Sequence, residues 1–166
     1  MNIVLRPVLP EEKDTLNNLL EKYNYEFSQY DKIPFGADGL YHYWPLEAYW
    51  TEANRAAYFI LVEDTLAGFA LINAHPECDH PLDWAVAEFF VAYPYRRSGV
   101  GSAVMAEIFL RHRGVWHIKY HPANTASAAF WNGIARKHAS GEVKKLRGTE
   151  DYYDGTPAEV LVFRTE

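Results

Sequence analysis

One cysteine, Cys78, is all this chain of 166 residues contains, so an internal disulfide is excluded and a reducing compartment suits it. No apolar run approaches the ~20 residues of a membrane span, and Met1 to Asp14 lacks a basic stretch followed by an apolar one. A cytoplasmic location without membrane contact is therefore expected. Positive charge is also scarce, with 16 Lys and Arg against 22 Asp and Glu for a net charge of -6. That balance argues against nucleic acid or any partner held mainly through phosphate contacts, though not against a small phosphorylated ligand bound by local charge. Lysine is missing altogether between Lys32 and Lys119. The sequence shows neither an internal repeat nor a low-complexity linker.

Aromatic residues, by contrast, are plentiful: 9 Phe, 5 Trp and 12 Tyr make 16% of the chain, too many large apolar groups for a disordered segment. A chain of this length reads as one domain, 1–166, that buries roughly 70% of its unfolded surface without structural metal or disulfides.

Local patterning predicts the order β-α-(α)-β-β-β-α-β-α-β-β. Asn2 to Leu9 is β-rich and stops at Pro10, after which acidic groups and the spacing of Leu16, Leu19, Leu20 and Tyr23 predict a helix. From Tyr23 to Trp50 the pattern dissolves into Pro, Gly and aromatics, a long irregular connection with a short helix near Leu46 to Asn54. Ala57–Val62 and Leu66–Ala74 form a hairpin, and Trp84–Val91 is a further strand. Ser102–Arg113 is a helix with Val104, Ile108 and Leu110 available to the core, closed by Gly114 as a cap. Val115–Tyr120 is a strand, Thr125–His138 a helix capped by Asn124 or Thr125, and Glu142–Leu146 and Glu159–Arg164 are the last strands. A mixed sheet flanked by helices follows.

The segment with chemistry in it runs from Tyr95 to Ser102. A strand feeds a turn where Gly99 and Gly101 let the backbone approach a ligand, and a helix starts at once. Free N–H groups and the positive helix end make such a turn a pyrophosphate site, with Arg96 and Arg97 adding charge. Two familiar phosphate loops fail here. A P-loop needs Gly-Lys-Ser/Thr, and a dinucleotide fingerprint needs a third glycine where Val104 stands.

What remains, R-x-x-G-x-G carried by Arg96, Gly99 and Gly101, resembles the signature of the GCN5-related N-acetyltransferase (GNAT) superfamily. The preceding strand with its Pro and Tyr-Arg pair, Glu88 to Arg96, and the segment Asn124-Thr125-Ala126-Ser127-Ala128-Ala129-Phe130-Trp131 extend the likeness over nearly the whole chain. The resemblance implies an α/β (α+β) fold of the acyl-CoA N-acyltransferase type: a mixed, mostly antiparallel sheet of about seven strands flanked by about four helices. It implies acetyl-CoA as acyl donor and no metal. The pyrophosphate would lie on the backbone of Arg97, Ser98, Gly99, Val100, Gly101 and Ser102, beside Arg96. Pantetheine would lie along the strand end at Phe90 and Val91, and Asn124 and Trp131 would complete the cofactor contacts.

In such enzymes an amine attacks the thioester directly, and a Glu on the strand before the loop often takes its proton. Glu88 stands at that place. Strict alternation would set it with Trp84, Val86 and Phe90 on one face, opposite Ala85, Ala87, Phe89 and Val91, among apolar neighbours that raise its pKa. The competing reading is a Glu paired with an Arg, or one facing solvent. The family's usual acid is a Tyr where this chain has Trp131, whose indole N–H is a poor proton donor; Tyr120, Tyr152, Tyr153 or unassisted thiolate departure are the alternatives.

The expected activity is acetyl transfer to a primary amine of a small molecule. A silent acyl-CoA-binding module and an acetyltransferase of protein lysines or N-termini are the alternatives. Homodimers are common in such folds, which leaves monomer and homodimer both open. His75, Glu77, Cys78, Asp79 and His80 crowd metal-capable groups together, but without a second ligand pair they read as a solvated loop. The aromatics between Tyr23 and Trp50 are expected to wall the acceptor pocket, and no role is assigned to His117 or His121.

Overall fold

The computed structural model describes all 166 residues. Seven strands form one sheet: β1 (Ile3–Pro7), β2 (Ala56–Val62), β3 (Thr65–Asn73), β4 (Trp84–Val91), β5 (Gly114–Tyr120), β6 (Lys144–Asp151) and β7 (Pro157–Thr165). Their order is β1-β2-β3-β4-β5-β7-β6. Every pairing is antiparallel except β4 with β5.

Four α-helices flank the sheet: α1 (Lys13–Asp31), α2 (Ala48–Thr51), α3 (Val100–Arg111) and α4 (Thr125–His138). One face of the sheet packs Tyr58, Ile60, Ala70 and Ile72 against Val104, Met105 and Ile108 of α3 and Ile134 of α4. The other packs Phe59, Phe69 and Leu71 under Leu16, Leu20 and Tyr23 of α1 and Tyr49 of α2. No helix is long and apolar enough to cross a membrane.

Several local expectations need correction. The first helix does not end near Tyr23 but continues to Asp31, where Lys32 closes it in a left-handed conformation. Tyr23, Phe27 and Tyr30 are spaced by four and three residues, and this helical stripe, lying among further aromatics, had the look of irregular chain. Leu110 is 60% exposed, since it sits two residues, about 200° of turn, beyond Ile108; Met105 and Phe109 fill the core instead. Gly114 is not the cap of α3, a place taken by His112. It opens β5 at φ +136°, where a Cβ would run into Asp83, whose carboxylate accepts the Val115 N–H. The polar β6 runs on to Asp151 as an edge strand. The His75 to His80 loop is not simply solvated either, because Cys78 is buried against Val160 and Val162.

Two irregularities open the sheet. In β4, Leu71 pairs with Glu88 and Ile72 with Val86, so Ala87 is an extra residue and the alternation of faces shifts there. Trp84, Val86, Phe89 and Val91 therefore pack on the α3/α4 side, while Ala87 and Phe90 join the α1 side. In addition, β4 and β5 pair only over Trp84–Val86 and Trp116–Ile118, so beyond Val86 they part.

Candidate active site

The parting of β4 from β5 makes a cleft of about 750 Å³ whose lining runs from Arg97 and Gly101 at one end to Tyr43 and Trp44 at the other. From Ala87 onward the edge of β4 away from β3 has no strand partner. Phe90 and Val91 lie on this stretch and line the cleft.

At one end lies the turn into α3. Arg97 (φ 57°) and Gly99 (φ 85°) both adopt the left-handed region, which coils the backbone so that successive N–H groups turn inward as a nest. Six of them in a row, from Arg97 through Ser98, Gly99, Val100 and Gly101 to Ser102, meet no backbone acceptor in the turn. A Cβ at Gly101 would approach the Phe130 ring to 3.1 Å, so glycine there also lets α3 lie close to α4. Arg97 forms no ion pair, whereas the Ser98 hydroxyl donates to the Tyr95 carbonyl at 2.7 Å and fixes the turn.

Arg96 behaves differently from its neighbour. Its guanidinium makes a two-pronged pair with Glu26 of α1 at 2.6 and 2.8 Å, lies 4.3 Å from the Tyr93 ring centroid, and donates through Nε to the Val91 carbonyl. Its backbone N–H is used by the Tyr93 carbonyl. The side chain thus anchors α1 to the end of β4. Glu26 lies 70 positions away in the chain, so no local signal could have disclosed this partner.

On the α4 side, the Asn124 side chain caps the helix by accepting the Ser127 N–H at 3.1 Å while the residue lines the cleft. Trp131 is 7% exposed and stands edge-on to Phe89, with ring centroids 5.3 Å apart. Of the tyrosines considered as proton donors, Tyr120 and Tyr152 line the cleft. Tyr153 is 67% exposed and does not. The Tyr120 hydroxyl accepts from Asn132 at 3.0 Å. The Tyr152 ring packs at a tilt on His121, which is held by Asp154 at 3.1 Å, so this pair secures the β6–β7 turn beside the cleft.

Glu88 lies half-buried on the cleft floor just past the extra residue. Burial pushes its carboxyl up to about 7 from an ordinary 4.5; the phenols of Tyr23 and Tyr43 and the Lys119 ammonium hold it from rising further. The Tyr43 hydroxyl donates to Glu88 Oε1 at 3.3 Å. Lys119 itself pairs with Glu77 at 2.8 Å, a residue that composition alone placed in a solvated loop. No arginine pairs with Glu88. A carboxyl with a midpoint near neutrality can both take and release a proton under physiological conditions.

Above Glu88, Tyr23, Phe27, Tyr30, Tyr41, Tyr43 and Trp44 form the aromatic wall of the cleft. Behind Tyr43 a second hollow of about 400 Å³ reaches Asn73, Glu77 and Arg55, and shares Tyr43, Trp44, Ala87, Glu88 and Lys119 with the cleft.

The fold is met among known proteins. An acetyltransferase from Thermus thermophilus superposes with a TM-score of 0.68 at 12% identity, covering 99% of this chain and 97% of that one. A Bacillus anthracis protein described as a streptothricin acetyltransferase, solved in complex with acetyl coenzyme A, gives 0.63 at 12% identity with 100% of both chains covered. The ribosomal-protein-S18-alanine N-acetyltransferase of Escherichia coli gives 0.59 at 11% identity, covering 99% and 94%. Comparison with curated proteins gives no match. The sequence profile of the Acetyltransferase (GNAT) family matches residues 16–133, a span that includes Glu88, the N–H nest and Asn124. The profile covers most of the chain and the overall fold matches, and the chain belongs to the GNAT family of N-acetyltransferases.

Proposed function

We propose that the protein transfers the acetyl group of acetyl-CoA to a primary amine of a small molecule, with Glu88 as general base. Acetyl-CoA is the acyl donor of the family's chemistry. Six N–H groups free of backbone acceptors, the end of a twelve-residue helix and the unpaired Arg97 suit a pyrophosphate. Phe90, Val91, Asn124 and Trp131 border the path from that nest to Glu88. The acceptor amine loses a proton toward the Glu88 carboxylate as its nitrogen bonds to the acetyl carbon. The C–S bond then breaks and the thiolate leaves, either unaided or with a proton from Tyr120 or Tyr152.

The observation that carries this reading is the position of Glu88, a carboxyl brought to about 7 by burial on the floor of the cleft that joins the nest to the aromatic wall. An inert acyl-CoA-binding module has no use for such a group. Tyrosine and tryptophan faces on one side and Glu88, Glu77 and Lys119 on the other favour an acceptor with a flat or aliphatic body and an amine. The two relatives are named for acceptors of different classes, streptothricin and a ribosomal-protein alanine. A small acceptor is favoured here because the aromatic wall and the hollow behind Tyr43 both adjoin Glu88 and offer flat faces that suit a compact body.

The experiment is thiol release from acetyl-CoA across a panel of amines, with a peptide panel alongside. Turnover of amines with little or none of peptides is expected; acetylated peptide as the main product points to the protein-directed alternative.

A further inference from the structure

We propose that Tyr43 is a positioning residue for Glu88, and that Glu21, remote from the reacting atoms, sets where Tyr43 stands. The inference rests on Glu88 as the base and adds the device that aims it. Glu21 projects from α1 beneath the turn that precedes Tyr43. Its two carboxylate oxygens accept consecutive backbone N–H groups, Tyr41 at 2.8 Å and His42 at 3.0 Å. His42 is held at φ 57°, a conformation that costs a non-glycine residue on the order of 1 kcal/mol and persists only where the surroundings enforce it.

The rest of the turn is equally tied. Asp38 accepts the Leu40 N–H at 3.1 Å and pairs with the His42 ring, and Gly36 donates to the Leu40 carbonyl at 2.8 Å. Phe35 stacks on Tyr25 of α1 with centroids 5.9 Å apart and packs at a tilt on Tyr41 at 5.0 Å. The strained residue, the carboxylate clamp and the packed rings all lie just before Tyr43, which donates to Glu88 alongside Tyr23 of α1. Tyr43 also stands between the two hollows, each of which reaches Glu88 past it.

The groups facing Glu88 come from every element around it: Tyr23 of α1, Tyr43 of the turn, Tyr49 of α2, Lys119 of β5, Glu77 of the β3–β4 loop and Tyr152 after β6. A phenol donating to the carboxylate favours its ionised form and works against burial. Loss of that donor moves the Glu88 midpoint up. Release of the clamp lets Tyr43 swing away and does the same.

The test is a carbon-13 carboxyl titration of the whole protein by NMR, with the Glu88 signal identified by its disappearance in Glu88→Gln. Tyr43→Phe and Glu21→Ala should both raise the midpoint, and the double variant should go no higher than Tyr43→Phe alone. Glu21→Gln keeps one acceptor oxygen and should fall between wild type and Glu21→Ala. On the acidic limb of the rate profile, kcat/KM of either single variant should fall roughly 3- to 10-fold. An unmoved midpoint in Tyr43→Phe, or additive shifts in the double variant, overturns the inference. Full activity in Glu88→Gln instead overturns the base assignment, an outcome the titration reads separately.

Discussion

Replacing Glu88 by Gln should slow the enzyme and stabilise it, and the two effects should share one pH dependence. The glutamine keeps the shape of the side chain and removes the proton acceptor, so turnover should drop roughly 10²- to 10⁴-fold with acetyl-CoA affinity near wild type. Stability moves the other way. In the folded protein the Glu88 carboxyl is raised from 4.5 to about 7, so its contribution to stability is present below pH 4.5 and is lost as pH rises through 7. A displacement of that size corresponds to about 3 kcal/mol at full burial. Since Glu88 is only half-buried, about 1–3 kcal/mol is the expected range. For a chain of this length that is a Tm about 2–10 °C higher for Glu88→Gln than for wild type at pH 8, narrowing toward pH 5. Scanning calorimetry across pH 5 to 8 reads it, with kcat/KM measured in the same buffers. A Tm difference that ignores pH, together with a rate profile lacking an acidic limb near 7, would refute the reasoning.

Other substitutions separate the parts of the cleft. Ser102→Glu adds a charge that suits a helix N-terminus but opposes a pyrophosphate, so by calorimetry acetyl-CoA should bind at least ~10-fold, about 1.4 kcal/mol, more weakly while Tm holds. Arg96→Gln breaks the anchor to Glu26 and leaves that carboxylate without its partner; Tm should fall by several degrees, while acetyl-CoA affinity changes less than about threefold because the free N–H groups begin at Arg97. Trp44 is 80% exposed on the cleft wall, so Trp44→Leu should leave Tm within about 1–2 °C and raise the acceptor KM severalfold if the wall contacts acceptor. A fall in Tm with unchanged KM would assign Trp44 to packing.

The order of strands and helices was legible because each element carries its own periodicity, and the nest was legible because strand, glycines and helix start are contiguous. What local pattern could not disclose is where distant chain intervenes. The extra residue at Ala87 exists because of how β4 registers against Leu71 and Ile72, so strict alternation placed Phe89, Phe90 and Val91 correctly but Trp84, Val86 and Ala87 on the wrong faces relative to Glu88. Arg96 lines the cleft, and its ion pair with Glu26 on α1 had no local signal in the sequence. Glu77 and Cys78 appeared as loop residues because the strands that cover them, β5 and β7, lie about 40 and 80 positions later. The length of α1 was hidden in plain view, since the interval Tyr23, Phe27, Tyr30 is helical but its composition is not typical of a helix.

The account depends most on Glu88 and an amine meeting in the cleft. The direct measurement is steady-state acetylation of the best amine in the panel as a function of pH, wild type beside Glu88→Gln, with product identified by mass spectrometry. Expected are acetylated amine, an acidic limb with a midpoint near 7 in wild type, and a variant slower by at least ~100-fold with that limb gone. Wild-type rate and an unchanged profile in Glu88→Gln would contradict it.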